Sequence, residues 1–426
     1  MLVPSIDIIQ NDAVQLVGGE EMALNAGSPH KIAEKFGLLG PIAVIDLDAA
    51  MGNGDNTETI KSLCKKYRCR VGGGIRSIDK AIDWLDAGAE QIIIGTAATP
   101  EFLSQLPKNR LIAALDAKHG EIVVEGWKTK TGKTIVEQMT LLRDHVSGFL
   151  VTFVEQEGRM QGTNMDAVQE LVKAAGSAKL TIAGGITTAE DIRQLDNLGA
   201  DAQVGMALYT NRLALADAFA APLRSDRADG LWTTVVVDEH ERALGLCYSN
   251  LESLRCAIHE QRGIYWSRRR GLWRKGESSG HRQELLSISM DCDRDCLRFT
   301  VRQSGAFCHL NTLSCWGELK GLPSLEKIIL ERFHNAPSGS YTKRLLEDPT
   351  LLAAKLKEET DELIAADAPE EVKWEAADLL YFTMVAMAKA GVSLRDTIQH
   401  LEQRQLKVSR RAGHAKAPYL KEEPNK

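Results

Sequence analysis

The sequence predicts a multidomain protein with an N-terminal (β/α)8 barrel, a central β-rich α+β domain and a C-terminal all-α bundle. Residues 1–220 alternate apolar runs with amphipathic stretches, residues 231–318 contain short strand-like runs between Gly-containing turns, and residues 322–412 are helical. A chain of 426 residues has room for about two to four domains. The predicted borders are 1–220 for the barrel, 225–320 for the β-rich domain, 322–412 for the bundle and 413–426 for a mobile tail.

The barrel is predicted from eight apolar runs that alternate with helix-like stretches. The runs are Val3–Ile8, Ile42–Leu47, Arg70–Ile75, Gln91–Gly95, Leu111–Asp116, Gly148–Val154, Leu180–Ile186 and Ala202–Ala207. Eight strand–helix units in about 220 residues are typical of a closed barrel. A doubly wound open sheet is the alternative, because periodicity alone does not close a barrel.

An internal repeat of glycines favours the barrel and indicates what it binds. The recurring glycines are Gly73, Gly74 and Gly95 in the first half and Gly184, Gly185 and Gly205 in the second. The nearly constant offset predicts two duplicated half-barrels. Glycine after a strand lets the backbone approach a ligand, and helix N-termini there attract phosphate. We therefore predict two phosphate sites and a substrate with a phosphate at each end, although ordinary turns would also explain the glycine pairs.

Composition limits the classes of function. The chain is 44% hydrophobic and 26% charged, as in ordinary globular proteins, and its formal charge of −6 gives no sign of nucleic-acid binding. No apolar run approaches the ~18 residues of a membrane span, and the N-terminus does not resemble a signal peptide. We therefore expect a cytoplasmic protein without nucleic-acid or membrane partners. In such a protein the eight cysteines are expected to be free thiols or metal ligands.

The central region carries an alternating acidic motif. Its strand-like runs are Leu231–Val237, Gly263–Ser267, Glu284–Met290 and Cys296–Gln303. Between the last two runs stand Asp291, Asp293 and Asp295, which would share one face if they lay on a strand. Cys292 would then point the opposite way, unless the segment bends. Carboxylate oxygens suit Mg²⁺ and thiolates suit Zn²⁺, so the motif predicts a metal centre.

Two further cysteines extend this prediction. Cys308 and Cys315 join Cys292 as possible zinc ligands, and three thiolates leave the fourth position open, as in catalytic zinc sites. His309, beside Cys308, is suited to act as a general base or proton relay. The alternative is a solvated acidic turn near unrelated buried cysteines.

The helical region carries a second acidic set. Its members are Glu358, Glu359, Glu362, Glu375 and Asp378. Spacings of three and four residues place the first group on one helical face and the second group on another. Two such faces that meet in a bundle can hold Mg²⁺ against a polyphosphate. A solvated helix with surface acids is the alternative.

Residues 225–318 resemble phosphoribosyl-AMP cyclohydrolase. The matching segments are Asp229–Leu231, Tyr265–Arg268, Leu272–Glu277, Ser279–Gly280, Asp291–Asp295, Cys308–His309 and Cys315. The resemblance implies zinc on the three cysteines, magnesium on the three aspartates and a homodimer whose metal site draws on both chains. It also implies hydrolytic opening of the adenine ring of phosphoribosyl-AMP, with His309 assisting proton transfer.

The same resemblance points to substrate-binding residues. Arg268 and Lys275 lie in the segment expected to bind the nucleotide. Arg269 stands where the family usually has serine, and His281 stands where it usually has asparagine. Both departures concern substrate specificity and leave the expected metal ligands unchanged.

The helical region resembles phosphoribosyl-ATP pyrophosphohydrolase, an all-α, MazG-like and magnesium-dependent family. The resemblance rests on Ser340–Thr342, on Lys355 with the acids that follow it, and on Trp374–Tyr381. It implies that the five acids bind magnesium and that water attacks a phosphoryl group of the bound ATP derivative, which releases pyrophosphate.

Residues 1–215 resemble phosphoribosylformimino-aminoimidazole carboxamide ribotide isomerase. The segments are Pro4–Asp7, Gly72–Ser77, Leu115–Asp116, Glu125–Trp127, Thr152 and the two glycine loops. The resemblance implies an aminoaldose-to-aminoketose rearrangement, with Asp7 as base, Asp116 as acid and Thr152 assisting. In (β/α)8 barrels the catalytic residues lie at the carboxyl ends of the strands. Arg76 and Trp127 are expected to bind the substrate.

Taken together, these resemblances predict a fused enzyme of histidine biosynthesis that acts on phosphoribosyl nucleotides. The chain order of the three domains runs opposite to the order of their reactions. Gln15 and Met206 replace arginines that are common in the isomerase family. A structural or regulatory barrel attached to two hydrolases is therefore the alternative.

Overall fold

A computed structural model describes residues 1–18, 21–118, 120–124, 129–156, 162–318, 320–410 and 413. The chain forms two compact units, of which one comprises Met1–Pro222 with Gln405–Lys426 and the other comprises Leu223–Arg404. Each unit is described by itself.

The first unit is built on parallel strands with helices between them. Its strands are β1 (Leu2–Ile9), β2 (Asp12–Val17), β3 (Glu21–Gly27), β4 (Ile42–Asp46), β5 (Cys69–Gly72), β6 (Gln91–Ile94), β7 (Leu111–Lys118), β8 (Glu121–Val124), β9 (Thr129–Thr134), β10 (Gly148–Phe153), β11 (Lys179–Ala183) and β12 (Ala200–Val204). Its helices are α1 (Pro29–Phe36), α2 (Leu47–Met51), α3 (Thr57–Cys64), α4 (Ile78–Asp86), α5 (Pro100–Leu103), α6 (Ile135–Leu142), α7 (Met165–Ala175), α8 (Ala189–Leu198), α9 (Met206–Tyr209) and α10 (Leu215–Ala220). Several helices begin where a side-chain hydroxyl accepts a backbone N–H, as at Ser77, Thr134 and Thr188.

Eight of these strands close into a barrel. The ring runs β1, β4, β5, β6, β7, β10, β11 and β12, with every neighbouring pair parallel. The pairing of β12 with β1 completes the circle. The predicted (β/α)8 barrel is therefore confirmed, and the open sheet is excluded.

Six of the eight barrel strands end earlier than the apolar pattern predicts, whereas β1 and β7 extend one and two residues further than their predicted runs. The run through Ile75 stops at Gly72, because Gly73 and Gly74 adopt φ values of 101° and 66° that turn the chain out of the strand. Two hairpin extensions were not predicted: β2–β3 continues from β1, and β8–β9 continues from β7.

The barrel interior is filled by side chains from the strands. The interior cluster comprises Ile93, Ile112, Leu150 and Ala183, with Ile45 and Ala114 packed against it. Because strand side chains alternate, residues two or four positions further along the same strands also face inward, at the carboxyl end. This position is the one occupied by Thr152 and Asp116.

The second unit begins with a four-stranded sheet and a two-stranded ribbon. Its strands are β13 (Trp232–Val237), β14 (Ala243–Ser249), β15 (Ile264–Ser267), β16 (Gly271–Arg274), β17 (Gln283–Met290) and β18 (Cys296–Gln303), and helix α11 spans Leu251–Glu260. The sheet order is β14-β13-β18-β17, and β15 pairs with β16. Tyr265 and Phe299 are fully buried in this region, with ring centroids 5.3 Å apart. The β-rich α+β prediction is confirmed.

Helices form the remainder of the second unit. They are α12 (Leu322–Asn335), α13 (Tyr341–Glu347), α14 (Pro349–Ala365), α15 (Pro369–Lys389) and α16 (Leu394–Gln405). Their core comprises Ile329, Leu345, Leu346, Leu352, Phe382, Met384 and Val385. The predicted all-α region is thereby confirmed. Within the described residues no single helix meets the length and hydropathy of a membrane span, although α15 and α16, bent by 105°, meet them as a pair.

A turn of the sheet contacts the first helix of the bundle. In the turn between β13 and β14, Nε2 of His240 lies 3.8 Å from Oε2 of Glu326. Arg242 donates a hydrogen bond of 3.3 Å to Ser324. Glu326 also accepts a hydrogen bond from the backbone N–H of Leu394, at the start of α16. The β-rich part and the bundle therefore share a polar contact, called below the turn–helix contact.

Candidate active sites

The carboxyl end of the barrel carries the three predicted catalytic residues. Asp116 on β7 and Thr152 on β10 are direct partners in the parallel register. Asp7 lies on β1, in register with Ile45, whose side chain belongs to the barrel interior. All three catalytic candidates are half-buried. The structure thus places the two predicted acids at the same end of the barrel.

Asp7 lies in an environment that disfavours its charged form. The side-chain Nε2 of Gln15 donates hydrogen bonds of 3.3 Å to Asp7 and 2.9 Å to the carbonyl of Val14. Burial raises the pKa of Asp7 to about 7, and the hydrogen bond from Gln15 opposes that rise. Burial and the charge of Asp7 also raise the pKa of Tyr209, which donates a hydrogen bond to the carbonyl of Ser5. A carboxyl group that titrates near neutral pH is suited to abstract a proton.

Three of the predicted phosphate-binding glycines are required by backbone packing. A Cβ at Gly73 would lie 2.1 Å from the carbonyl oxygen of Asp46, and one at Gly74 would lie 2.5 Å from that of Ala49. At Gly185 the clash would be with a backbone carbonyl oxygen at 2.2 Å. A structural role therefore explains these glycines without any ligand, and their phosphate role stays a prediction.

Gly95 and Gly205 differ from those three glycines. A Cβ at Gly95 would meet no atom of the described residues within 4 Å. At Gly205 it would lie 2.5 Å from the side-chain oxygen of Gln15. Packing of the described residues therefore does not require glycine at position 95, and its phosphate role stays a prediction, whereas Gly205 is in contact with a side chain.

A pocket opens at the carboxyl ends of β11 and β12. Its lining includes Gly184, Gly185, Gly205, Met206 and Ser5. This is the position of the second predicted phosphate site. The thioether of Met206 supplies no positive charge where the isomerase family commonly has arginine.

Of the two residues of the barrel that were predicted to bind substrate, only Arg76 lies within the described residues. The guanidinium of Arg76 donates hydrogen bonds of 3.4 Å to the carbonyl of Ala49 and 2.7 Å to that of Ala50. These carbonyls belong to α2, so Arg76 caps the end of that helix. Trp127 lies outside the described residues.

The predicted acidic motif forms a turn between β17 and β18. Arg294 has φ of 69°, and Asp291 accepts hydrogen bonds of 3.1 Å from the backbone N–H groups of Asp295 and Cys296. The acids therefore do not share a strand face; the chain bends and brings them together. The ligand oxygens of Asp291, Asp293 and Asp295 lie within 4.8 Å of one another.

The electrostatics of this turn fit a divalent cation. The negative charge of Asp293 is the largest cause of a raised pKa at Asp295. At Asp291 burial acts to raise the pKa, but the backbone hydrogen bonds that its carboxylate accepts outweigh burial, and the pKa is lowered. Three crowded carboxylates repel one another, and their oxygens are the ligands that Mg²⁺ prefers. The residues present therefore fit a magnesium ion.

Two of the three predicted zinc ligands meet within the chain. The thiols of Cys308 and Cys315 lie close enough for each to influence the pKa of the other, and the N–H of Leu310 is the largest cause of a lowered pKa at Cys308. The Sγ of Cys308 lies 3.8 Å from Nδ1 of the exposed His309. Among the described residues, Cys292 does not complete a cluster of three ligand atoms with this pair. The paired thiols fit zinc, and among the described residues Cys292 of the same chain does not join them.

Sequence reasoning missed a fourth thiol at this site. Cys247 on β14 is buried, and burial raises its pKa to about 12, with a further contribution from the charge of Cys315. The loop that carries Cys315 is fixed to β14 by a hydrogen bond of 2.8 Å to the carbonyl of Leu244. No signal in the sequence indicated this contact, because β14 had not been predicted.

Of the two predicted nucleotide-binding residues in this region, Lys275 is buried beside the thiols. It donates a hydrogen bond of 3.4 Å to the carbonyl of Ala306 and lies 5.3 Å from the ring of Phe307. Burial lowers the pKa of Lys275, and the charge of Cys247 is the largest opposing influence. The structure therefore places Lys275 next to the candidate zinc ligands.

Arg268 lies in a stack with an aromatic ring. The guanidinium groups of Arg227 and Arg268 lie 4.5 Å and 4.8 Å from the centre of the Tyr248 ring. Asp229 fixes Arg227 through contacts of 2.9 and 2.7 Å. Sequence reasoning missed Tyr248 and Arg227, because this stack forms between segments distant in the chain.

The two departures from the cyclohydrolase pattern lie near these residues. Arg269 is exposed, and its backbone N–H donates a hydrogen bond to Ser267. The ring of His281 packs so closely on Gly305 that a Cβ there would lie 2.6 Å away. No contact among the described residues explains the charge at position 269.

The helical region brings all five of its predicted acids together. Within each of two sets the ligand oxygens lie within 4.8 Å of one another, and the sets are Glu358, Glu359 and Glu362, and Glu359, Glu375 and Asp378. Glu359 belongs to both sets and is only 3% exposed. Burial is the largest cause of a raised pKa at Glu375, and the charge of Glu362 comes next. This oxygen-rich and mutually repelling group fits magnesium.

A lysine lies beside these acids. The Nζ of Lys355 is 2.8 Å from Glu358 and 2.6 Å from Glu359. Its hydrogen bonds to these two carboxylates raise the pKa of Lys355.

Sequence profiles of three families match consecutive parts of the chain. The family described as "Histidine biosynthesis protein" matches residues 1–214. The family "Phosphoribosyl-AMP cyclohydrolase" matches residues 245–317, and the family "Phosphoribosyl-ATP pyrophosphohydrolase" matches residues 322–405. These ranges contain the carboxyl end of the barrel, the acidic turn at Asp291–Asp295 with the nearby thiols, and the acidic helices α14 and α15.

Several curated proteins are similar to this chain. The histidine biosynthesis trifunctional protein of Neurospora crassa is 37% identical over 82% of this chain and 38% of its own length. The histidine biosynthesis bifunctional protein of Schizosaccharomyces pombe is 50% identical over 49% of this chain and 50% of its own length. The 1-(5-phosphoribosyl)-5-((5-phosphoribosylamino)methylideneamino) imidazole-4-carboxamide isomerase of Methanocaldococcus jannaschii is 35% identical over 50% of this chain and 96% of its own length.

The fold and these matches define a biosynthetic protein in which an isomerase-like barrel precedes two hydrolase-type regions. The chain belongs to the histidine biosynthesis protein family. It spans 38%, 35% and 28% of the length of three trifunctional relatives that it matches.

Proposed function

We propose that this chain catalyses two consecutive hydrolyses of histidine biosynthesis. The bundle would hydrolyse phosphoribosyl-ATP to phosphoribosyl-AMP and pyrophosphate, and the β-rich region would then open the adenine ring. One observation carries the proposal: the carboxylate turn at Asp291–Asp295 and the thiol pair of Cys308 and Cys315 both lie inside the range that matches the cyclohydrolase family.

For the ring-opening step, zinc would be held by Cys292, Cys308 and Cys315, and magnesium by the three aspartates of the turn. Bound zinc supplies a Lewis acid that lowers the pKa of water. The exposed imidazole of His309 accepts a proton as water adds to the ring. Lys275 and Arg268 would hold the anionic nucleotide.

A homodimer would complete the zinc site. Cys292 is exposed and does not join the thiol pair of its own chain, so the Cys292 of a second copy is the natural third ligand. Large exposed apolar side chains also support self-association, among them Trp316 at 69%, Ile364 at 76% and Trp374 at 70%.

For pyrophosphate release, the five acids of α14 and α15 would hold magnesium against the triphosphate of the ATP-derived substrate. Bound magnesium supplies positive charge to the phosphate oxygens. The buried Glu359 fixes the geometry of the site, because its carboxylate belongs to both acidic sets. An ATP-binding role follows from this substrate class.

The barrel would isomerise the ring-opened product, with Asp7 as base, Asp116 as acid and Thr152 assisting. A pKa of about 7 at Asp7 supports this role. A non-catalytic barrel is the second candidate, and one observation favours it: Gln15 and Met206 leave the second glycine loop without the arginines common in the family. We place the protein in the cytoplasm, without nucleic-acid or membrane partners.

One experiment tests all three activities. Purified protein with Zn²⁺ and Mg²⁺ is supplied with phosphoribosyl-ATP, and products are followed by mass spectrometry. Phosphoribosyl-AMP, the ring-opened ribotide and its ketose isomer are expected in that order. Because aldose and ketose have the same mass, they are separated by chromatography. Accumulation of the unisomerised ribotide would support the non-catalytic barrel, and unreacted phosphoribosyl-ATP would contradict the proposal.

A further inference from the structure

Lys355 is bonded to the acids that are expected to bind metal. It lies one helical turn before them on α14, and its ammonium group is 2.8 Å from Oε1 of Glu358 and 2.6 Å from Oε1 of Glu359. Spacings of three and four residues put all three side chains on one face of the helix. One cation therefore bridges two carboxylates.

The environment of Lys355 differs from that of a solvated surface lysine. Its side chain is 22% exposed, and that of Glu359 is 4% exposed. The ammonium group lies 5.3 Å from the centre of the ring of Phe382, a buried residue of α15. Lys355 thus lies where α14 and α15 meet, the two helices that carry the five acids.

The lysine and a divalent cation require the same oxygen atoms. Glu359 belongs to both sets of acids, and Glu358 belongs to the first set. A cation that binds these carboxylates directly replaces the ammonium hydrogen bonds, since like charges at contact distance repel. The long lysine side chain can then reach a neighbouring anion by changing rotamers.

We propose that Lys355 is the counter-cation of the acids in the helical site before metal binds. Mg²⁺ displaces its ammonium group from Glu358 and Glu359, and Lys355 then binds an anionic oxygen of the substrate's triphosphate. This inference rests on the proposed pyrophosphohydrolase function. A lysine that only stabilised the helix would have no opposite effects on metal binding and substrate binding.

Metal binding by the full-length protein tests the inference. Mn²⁺ is titrated without substrate and followed by electron paramagnetic resonance, in a background carrying Asp293→Asn to weaken the site in the acidic turn. Lys355→Gln is expected to bind Mn²⁺ about fivefold more tightly, since the competing ammonium is gone. The same variant is expected to raise the KM for phosphoribosyl-ATP at saturating Mg²⁺.

Two variants serve as controls. Lys357→Gln makes the same charge change at an exposed position on the same helix, and neither Mn²⁺ affinity nor KM is expected to change. Lys355→Arg keeps the cation and is expected to retain weak Mn²⁺ binding. Circular dichroism and thermal melting confirm that each variant is folded.

Unchanged or weaker Mn²⁺ binding in folded Lys355→Gln would overturn the inference, as would an equal gain in Lys357→Gln. Failure of the proposed function has a different result. In that case Glu359→Gln, in the same background, would bind Mn²⁺ as the parent does, because the helical acids would not be the metal site.

Discussion

The side-chain amide of Gln15 donates a hydrogen bond of 3.3 Å to the carboxylate of Asp7. The contact joins the hairpin strand β2 to the barrel strand β1. The amide of Gln15 favours the charged form of Asp7, whereas burial favours the neutral form and raises the pKa of Asp7. The oxygen of the same amide faces Gly205, so Gln15 links the predicted base to the second glycine loop.

If the barrel is an isomerase, its activity should rise as pH passes about 7, because the base form of Asp7 requires deprotonation. Asp7→Asn is expected to abolish this activity at every pH and to spare both hydrolases. The pH dependence of kcat/KM with the purified ribotide measures the effect. A profile that is flat between pH 6 and 8 would show that Asp7 is not the titrating base.

Asp7 should also affect stability. Its folded pKa is raised from 3.8 to about 7, so the fold favours the neutral acid; stability falls as pH rises from about 4 to about 7 and is constant above that range. Asp7→Asn is therefore expected to stabilise the barrel at pH 8 by on the order of 2 kcal/mol, and to have little effect at pH 4. Urea unfolding at both values tests this, and equal effects at both would contradict it.

Removal of the amide at position 15 should move the titration of Asp7. The hydrogen bond from Gln15 lowers the pKa of Asp7, so Gln15→Leu is expected to raise it further and to shift the isomerase pH profile to higher pH. Gln194→Leu, on the outer helix α8, is the control and should leave the profile unchanged. The prediction is wrong if both variants have the parental profile.

Substitutions at two glycines should distinguish a packing role from a ligand-binding role. Gly73→Ala is expected to destabilise the barrel by roughly 3 kcal/mol or more, because its Cβ would lie 2.1 Å from a backbone oxygen at positive φ. Gly95→Ala has no such clash with the described residues and should fold normally. If the first glycine loop binds phosphate, Gly95→Ala should lower the affinity for phosphorylated ligands, as measured by calorimetry. Normal ligand affinity in that variant would remove the loop as a phosphate site.

Zinc content should depend on the thiol pair. Freshly purified protein is expected to contain about one zinc per chain, and Cys308→Ala is expected to lose it together with ring opening. Pyrophosphate release should continue, because it depends on the acidic helices. Cys256→Ala, on α11, is the matched control and should retain the metal. Zinc retention in Cys308→Ala, measured by mass spectrometry of the metal, would exclude this ligand.

The stack around Tyr248 should position Arg268. Tyr248→Leu removes the ring that both guanidinium groups contact. A loss of ~1 kcal/mol of cation–π interaction predicts an increase of several-fold in the KM for phosphoribosyl-AMP, with little change in kcat. Tyr248→Phe keeps the ring and should behave as the parent. Steady-state kinetics decide the matter, and equal KM values for the two variants would remove this role.

The parts of the fold that follow from periodicity were predictable. Eight apolar runs and a glycine repeat favoured the barrel, and the four predicted central strands correspond to β13, β15, β17 and β18. Hairpins β2–β3 and β8–β9 were missed. Much of β3 and all of β9 are exposed, so they lack the alternation of a half-buried strand.

The site was predictable where the residues are close in sequence. Acids spaced two residues apart meet even in a bend, and acids spaced three or four apart meet on a helix. Cys247 and Tyr248 could not be found in this way, because their partners are distant in the chain. Gln15 was singled out as a departure from the family pattern, but its hydrogen bond to Asp7 depends on the register of β1 and β2. For Gly73, sequence alone did not distinguish packing from phosphate binding.

The turn–helix contact has a consequence for genetics. His240 and Arg242 belong to the β-rich part, and Ser324 and Glu326 belong to the bundle. If the chain carries out both hydrolyses as proposed, alleles in the turn at Asp291–Asp295 should lose ring opening and alleles in the acidic helices should lose pyrophosphate release. The two classes are then expected to complement each other in a diploid. A lesion at Glu326 should be pleiotropic and complement neither class.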